Sequence, residues 1–315
     1  MPDKFLAAVD IGTNSFHLII VKVKSNGTFK IVDRERSIIR LGSRQSDGSS
    51  FISEEEMKQA IKILSSFKKL ADFYEAPMRC VATSAVREAS NKSEFIKKVS
   101  AKAGVEISVA SGREEALLIF TGAKAASDLE DKKSLCIDIG GGSTEFVLAH
   151  YGKPVFAESV KIGAVRLSKK FFPNFVISYS SLKKCEEYVS EMIYKNKKLK
   201  FNDKIDIAVG ASGTMQATAA MIFYLRHRKP KKSLNGFTFY HDELIKISDE
   251  VFSCKTTKDR LRIEGMEPKR ADIIPAGLII LNKIFEIFRL NSITISEYAL
   301  REGIILDMIK ANGLQ

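Results

Sequence analysis

The sequence predicts an α/β protein built from two related copies of one domain. Three observations carry this. The stretch "VDIGTNS" (9–15) returns as "IDIGGGST" (137–144), each an apolar run ending in an acid, Asp10 or Asp138, followed by Ile and Gly. Each copy opens a series of strand, glycine turn, strand, turn and strand, which passes into alternating helices and strands. The length of 315 residues suits two domains that each bury a core. The expected division is 1–124 and 125–315, with the terminal helix at about 300–315 packing back on the first domain. A cleft between the copies is the natural ligand site.

In the first copy, "FHLIIVKV" and "TFKIVDRE" read as strands around the turn "SNG". Ser53 and Glu56 form a capping-box pattern that starts a helix. Its apolar face is Met57, Ile61, Leu64, Phe67 and Leu70, with Ala60, Ile63 and Ala71 beside it. Strand "MRCVAT", helix "SEFIKKVSAKAG", strand "VEISVAS" and helix "REEALLIFTGAKAAS" follow. In the second copy, "PVFAESVKIGAVRL" supplies the third strand and a turn, before helix "SYSSLKKCEEYVSEMIYKNKKL" and strand "DIAVGASGT". Helices run from there to the end.

Composition narrows the function classes. At 45% hydrophobic residues the chain is globular. No apolar run approaches the roughly 18 residues of a membrane helix. The opening "MPDKFLAAVDIG" lacks the parts of a signal peptide, so a cytoplasmic protein is expected. Cys80, Cys136, Cys185 and Cys254 are far apart and read as reduced, mostly buried thiols. The four histidines are not spaced as zinc ligands. A net charge of +12 leans toward polyanionic partners. No nucleic-acid-binding motif accompanies that charge. The basic runs "KNKKLK" (195–200) and "RHRKPKK" (226–232) read as solvated faces. A condensed phosphate chain answers to the same field.

The repeated turn carries the chemistry. Glycine lets the backbone approach a ligand closely and aim successive amides into one concavity, which binds phosphate oxygens. A strand, not a helix, follows each turn, which excludes the dinucleotide fingerprint and the P-loop. What remains is a phosphate-gripping hairpin, formed by Gly12, Thr13, Asn14 and Ser15 in one copy and Gly140, Gly141, Gly142 and Ser143 in the other. Asp10 and Asp138 then stand where a hydrated Mg²⁺ is held against phosphates; either alone reads equally as a turn residue. A third glycine loop, Gly210–Thr214, leads into a helix whose N-terminus can donate to an anion, or is simply a strand-to-helix turn.

Taken together these stretches resemble the actin, sugar-kinase and heat-shock-chaperone superfamily, a ribonuclease H-like architecture. Within it they are similar to the exopolyphosphatase / guanosine pentaphosphate phosphohydrolase (Ppx/GppA) family. The matching stretches are "VDIGTNSFHL", "ATSAVREA", "SGREEALLIFTGA", "IDIGGGSTEF", "VGASGT" and "SEYALREGI", in the family's order over nearly the whole chain. The resemblance implies duplicated actin-like domains around a central cleft. It also implies hydrolysis of the terminal phosphoanhydride of polyphosphate or of guanosine pentaphosphate, with Mg²⁺ or a similar cation. It places the catalytic glutamate at Glu115, metal-facing acids at Asp138 and Glu145, and an arginine at Arg87. It places phosphate loops at Gly12–Ser15, Gly140–Ser143 and Ser212, Gly213 and Thr214. A short, two-domain form is implied, with processive digestion of long polymers in doubt. A homodimer stays open as an oligomeric option.

Each of these residues also has a plainer reading. Glu114 and Glu115 suit the first turn of a helix, and on the residues alone that role comes first. Arg87, at a helix start, could be a surface arginine. His17 reads as an interior histidine. Glu297 and Arg301 stand four apart, as an ion pair on a helix would, and Ser296 is a further phosphate contact to consider. Rival functions are a kinase of the same superfamily, a non-catalytic nucleotide-binding or filament-forming protein, and a basic nucleic-acid binder.

Overall fold

Two apolar strands joined at a glycine bend open the chain. β1 (Lys4–Ile11) and β2 (Ser15–Val23) pair antiparallel, with Asp10 opposite His17. The structure is a computed structural model that describes residues 4–44, 50–199 and 204–313. Its contacts divide the chain into two units: Met1–Gly122 with Leu300–Gln315, and Ala123–Ala299.

In the first unit, β3 (Phe29–Ile38) extends the hairpin beyond β2. A separate two-stranded ribbon, β4 (Ser43–Arg44) and β5 (Ser50–Phe51), leads to α1 (Glu54–Phe73). The Ser53–Glu56 capping box is present at the start of α1, and Met57, Ala60, Leu64, Phe67 and Ala71 are its buried stripe. β6 (Met78–Ala82) joins β1 in parallel, α2 (Ser84–Glu88) and α3 (Lys92–Ala103) follow, and β7 (Ile107–Val109) joins β6. The sheet order is β3-β2-β1-β6-β7. As a central strand with both neighbours paired, β1 is buried from Leu6 to Val9, which is why it reads as a continuous apolar run. α4 (Gly112–Ala125) then carries the chain to the unit boundary.

The second unit repeats the scheme. β8 (Lys133–Ile139), β9 (Thr144–His150) and β10 (Lys153–Val160) form the meander. They are followed by α5 (Ala164–Phe171), α6 (Tyr179–Lys195), β11 (Ile207–Gly210) and α7 (Gly213–His227). β12 (Thr238–Tyr240), α8 (His241–Ser253), α9 (Thr257–Arg260), α10 (Ile274–Phe288) and β13 (Ser292–Ile295) complete it. The sheet order is β10-β9-β8-β11-β13-β12, the same arrangement with one antiparallel edge strand added. α10 buries Ile274 to Leu281 without interruption, as a helix packed on several sides must. The last helix, α11 (Leu300–Ala311), belongs to the first unit and packs on β1 and β2.

The turns of the two hairpins close on the same hydrogen bond. Gly12 N donates to Ser15 O at 3.2 Å, and Gly140 N donates to Ser143 O at 2.9 Å. Asp138 lies opposite Glu145, as Asp10 lies opposite His17. The duplicated α/β architecture expected from the sequence is the one found.

Three local readings are corrected. The chain beyond β11 is not helical to its end: β12 and β13 lie among its helices, because pairing in the sheet buries Phe239, Ile293 and Ile295. Residues 164–167 are not a turn but the first turn of α5. The extended Gly163 that precedes it lets the first amides of α5 reach carbonyls of the glycine turn, which stabilises a helix that propensity alone does not announce. Arg87 stands in the last turn of the five-residue α2 rather than at its start, because the helix opens at Ser84. The basic residues 226–232 are all exposed, as are Lys195, Lys197 and Lys198; Lys200 lies outside the described residues. Cys80, Cys136 and Cys185 are buried, Cys254 is half-buried, and all four are free thiols. Among the described residues no helix is long and apolar enough to cross a membrane.

Candidate functional site

In the first unit, β1, α2, α4 and α11 bring five charged side chains into one cluster. The start of α4 explains how. Ser111 and Glu114 cap the helix reciprocally: Ser111 N donates to Glu114 Oε2 at 2.7 Å, and Glu114 N donates to Ser111 Oγ at 3.2 Å. One residue on, the helical step of about 100° turns Glu115 away from solvent, and it is only 6% exposed. There Arg87 Nη1 donates to Glu115 Oε2 at 2.7 Å and to Ala110 O at 3.0 Å. Burial raises the pKa of Glu115, while the Arg87 guanidinium pulls it back toward the charged form.

Asp10, at the end of β1, is the second acid of this cluster. Burial pushes its carboxyl from 3.8 up to about 7; Arg301 opposes that, and Glu115 and Glu302 add to it. Its Oδ1 is buried with no hydrogen-bond partner among the described residues. The amide nitrogen and oxygen of Asn14, in the adjoining turn, are likewise buried and unpartnered. Ser15 Oγ instead lies 2.8 Å from His17 Nε2. Thr13 lies in the same turn between Gly12 and Asn14. The amides of Thr13 and Asn14 have no acceptor among the described residues, so they are open to a ligand. The Gly12 amide is not open, because the Ser15 carbonyl takes it.

The second unit holds the other candidates. Across β8 and β9, Asp138 and Glu145 face each other in register, and Glu145 accepts from Ser159 Oγ at 2.7 Å while 2% exposed. The turn between them is clamped from behind. Ala164 N donates to Gly140 O at 2.9 Å, Val165 N and Arg166 N donate to Gly141 O at 3.0 Å, and Arg166 Nε donates to Gly142 O at 2.6 Å. The amides of Gly141, Gly142 and Ser143 have no acceptor among the described residues. At the third loop, Ser212 caps α7 by accepting Met215 N at 3.2 Å, which is the plainer of its two readings. Gly213 leaves room for the Arg270 guanidinium, which lies where a Cβ would sit, 1.7 Å from its ideal position. Thr214 packs against Gly277 of α10.

Some functional candidates escaped sequence reasoning. Glu302, 2% exposed and 3.8 Å from Arg301, sits inside the "SEYALREGI" stretch, where only Ser296, Glu297 and Arg301 drew notice. The helix begins at Leu300, so Glu297 precedes it and accepts the Leu234 amide instead of forming a helical ion pair. Ser296 Oγ is engaged with Tyr298 O at 2.8 Å. Arg270 comes from far along the chain, and nothing local in "EPKRAD" announces it.

A divalent cation fits these groups. Among the described residues no three His, Cys, Asp or Glu side chains gather into a cage. Mg²⁺ does not need one, since one or two carboxylates with waters and substrate phosphates suffice. The orphaned Asp10 Oδ1, and the like charges of Asp138 and Glu145 opposed across two strands, both suit a neighbouring positive charge.

The chain is 32% identical over 317 residues to a bifunctional 3-dehydroquinate synthase/phosphatase of Fusobacterium nucleatum subsp. nucleatum, covering 96% of this chain and 46% of that protein. It is 31% identical to a guanosine-5'-triphosphate,3'-diphosphate pyrophosphatase of Pseudoalteromonas atlantica, covering 98% and 59%. It is 28% identical to a putative exopolyphosphatase of Haemophilus influenzae, covering 97% and 91%. The chain thus spans about half the length of the first of these relatives. The crystal structure of an exopolyphosphatase from Cytophaga hutchinsonii superposes with a TM-score of 0.88 at 28% identity, covering 98% of both chains. That of the Aquifex aeolicus Ppx/GppA family member superposes with a TM-score of 0.80 at 27% identity, covering 99% of both. The model of the Ppx/GppA phosphatase family matches residues 19–312, and the chain belongs to that family.

Proposed function

We propose that this chain is an exopolyphosphatase, which hydrolyses the terminal phosphoanhydride of inorganic polyphosphate and releases orthophosphate. The observation that carries this is the buried Glu115 held at 2.7 Å by Arg87 beside an orphaned Asp10 carboxylate oxygen. An acid whose pKa is raised, yet kept partly ionised by an arginine, is suited to take a proton from an attacking water. The water oxygen bonds to the terminal phosphorus, the bridging P–O bond breaks, and the shortened chain leaves with that electron pair. Glu115 accepts the water proton. Arg87 has N–H donors beyond those given to Glu115 and Ala110, and these suit a phosphoryl oxygen.

The open amides of Thr13 and Asn14, and of Gly141, Gly142 and Ser143, are the proposed phosphate donors, with Arg270 and the Ser212–Thr214 loop as a further anion contact. Asp10 in the first unit, and Asp138 with Glu145 in the second, are each proposed as Mg²⁺-facing acids. Bound there, Mg²⁺ would neutralise charge on the phosphoryl oxygens. The names of the Haemophilus influenzae and Cytophaga hutchinsonii relatives support polyphosphate as substrate.

A second reading, hydrolysis of guanosine pentaphosphate, is favoured by the name of the Pseudoalteromonas atlantica relative. The net charge of +12 favours the polymer. Phosphate release from polyphosphate, guanosine pentaphosphate and ATP, measured side by side with Mg²⁺ and with chelator, decides between them. Release from polyphosphate above the other two is the expected result. Activity on guanosine pentaphosphate alone, or phosphoryl transfer from ATP to an acceptor, would replace this reading.

A further inference from the structure

Arg260, at the end of α9, is 0% exposed and forms no ion pair among the described residues. A buried guanidinium with no carboxylate is costly unless every donor is satisfied. Here all five donors have acceptors, four of them main-chain carbonyls. Nε donates to Ala271 O at 2.6 Å, and Nη1 donates to Cys254 O at 3.0 Å and Lys255 O at 3.3 Å. Nη2 donates to Phe175 O at 2.7 Å and Thr257 Oγ1 at 3.1 Å. One side chain therefore ties together three segments that are distant in sequence.

Two of those segments lead to the anion-binding turns of the second unit. Ala271 adjoins Arg270, whose guanidinium lies over Gly213. Phe175 packs with Ile273, Ala164 and Val165, and the amides of Ala164 and Val165 hold the carbonyls of Gly140 and Gly141. We propose that Arg260 is a positioning residue for anion binding: through the main chain it fixes both the Arg270 guanidinium over the 212–214 turn and the α5 start that clamps the 140–143 turn. This rests on the reading of those turns as phosphate-binding.

The test is Arg260→Lys, with two readouts that fail separately. The first is amide hydrogen exchange on the folded variant, which needs no substrate. At the two turns, exchange of the hydrogen-bonded amides of Gly140, Ala164, Val165 and Met215 should speed by about tenfold or more, with that of Gly12 unchanged. The second is steady-state kinetics on tripolyphosphate. KM should rise by about tenfold, the size of one lost charged hydrogen bond, with kcat within about threefold. In an Arg270→Ala background the same substitution should raise KM by less. Unchanged exchange at both turns overturns the proposal, and so does altered exchange with an unaltered KM. If the wild-type chain releases no phosphate from tripolyphosphate, the substrate reading fails, while exchange still decides the positioning role. Should Arg260→Lys not fold, Thr257→Val removes one acceptor of the same guanidinium. Faster exchange at both turns then supports the proposal, and unchanged exchange overturns it.

Discussion

Glu114 accepts the Ser111 amide and caps α4, whereas Glu115, its neighbour, is turned inward against Arg87. Their substitutions should therefore separate. Ser111→Ala should cost about 1 kcal/mol of stability in a urea melt, and Glu114→Ala should leave turnover near wild type. Glu115→Gln should lower kcat by about 10²–10⁴-fold while retaining tripolyphosphate binding; near-normal turnover would remove Glu115 from the chemistry. Asp10 gives a pH signature. Its carboxyl holds a proton up to about pH 7 in the folded protein but only to 3.8 in the unfolded chain, so its contribution to stability is complete below 3.8 and is lost as pH rises through 7. In chelator, Asp10→Asn should thus gain on the wild type as pH climbs from about 4 to about 8, read as urea midpoints. Added Mg²⁺ at the upper pH should raise the midpoint of the wild type by more than that of the variant. The motif stretches made Glu115, Arg87 and Asp10 visible as candidates. Which of two adjacent glutamates caps the helix is a matter of rotation about its axis, and the pairing of Glu115 with Arg87 spans 28 positions of sequence. Neither can be read from spacing alone.

At the level of elements, the strands and α1 follow directly from periodicity, because each buries a single apolar face or run. α5 does not. It exists as a clamp on the glycine turn, and that function shows in Gly163. A Cβ there would stand 2.5 Å from Gly141 O and 2.6 Å from the main-chain carbons of Gly141 and Gly142, atoms that cannot step aside as a side-chain tip can. Gly163→Ala should therefore cost about 1–3 kcal/mol and weaken tripolyphosphate binding, seen as a lower thermal midpoint and a higher KM. An unaltered KM would show that the turn binds nothing. In the sequence, "KIGAV" resembles any loop glycine, since its close neighbour is some twenty residues upstream.

For the whole molecule, the duplication was the strongest signal in the sequence, and it reappears as two sheets that share their first five positions. The end of the second sheet is what sequence reasoning left undivided: the strands β13 and β12 and the short α9 lie within the long stretch assigned to helices alone. The excess of 50 basic over 38 acidic residues predicts a salt effect. KM for polyphosphate should climb several-fold between about 0.05 and about 0.3 M KCl, as screening shortens the reach of the field. A flat KM would mean that net charge has no part in capture.

The first unit is discontinuous: α11, made after the second unit, lies on β1 and β2, made before it. During synthesis β1 and β2 must therefore wait, with one face uncovered, until α11 has left the ribosome, while the contiguous second unit is free to fold beforehand. A nascent chain halted before residue 300 should accordingly yield a protease-resistant fragment from the second unit and a readily cut segment ahead of it.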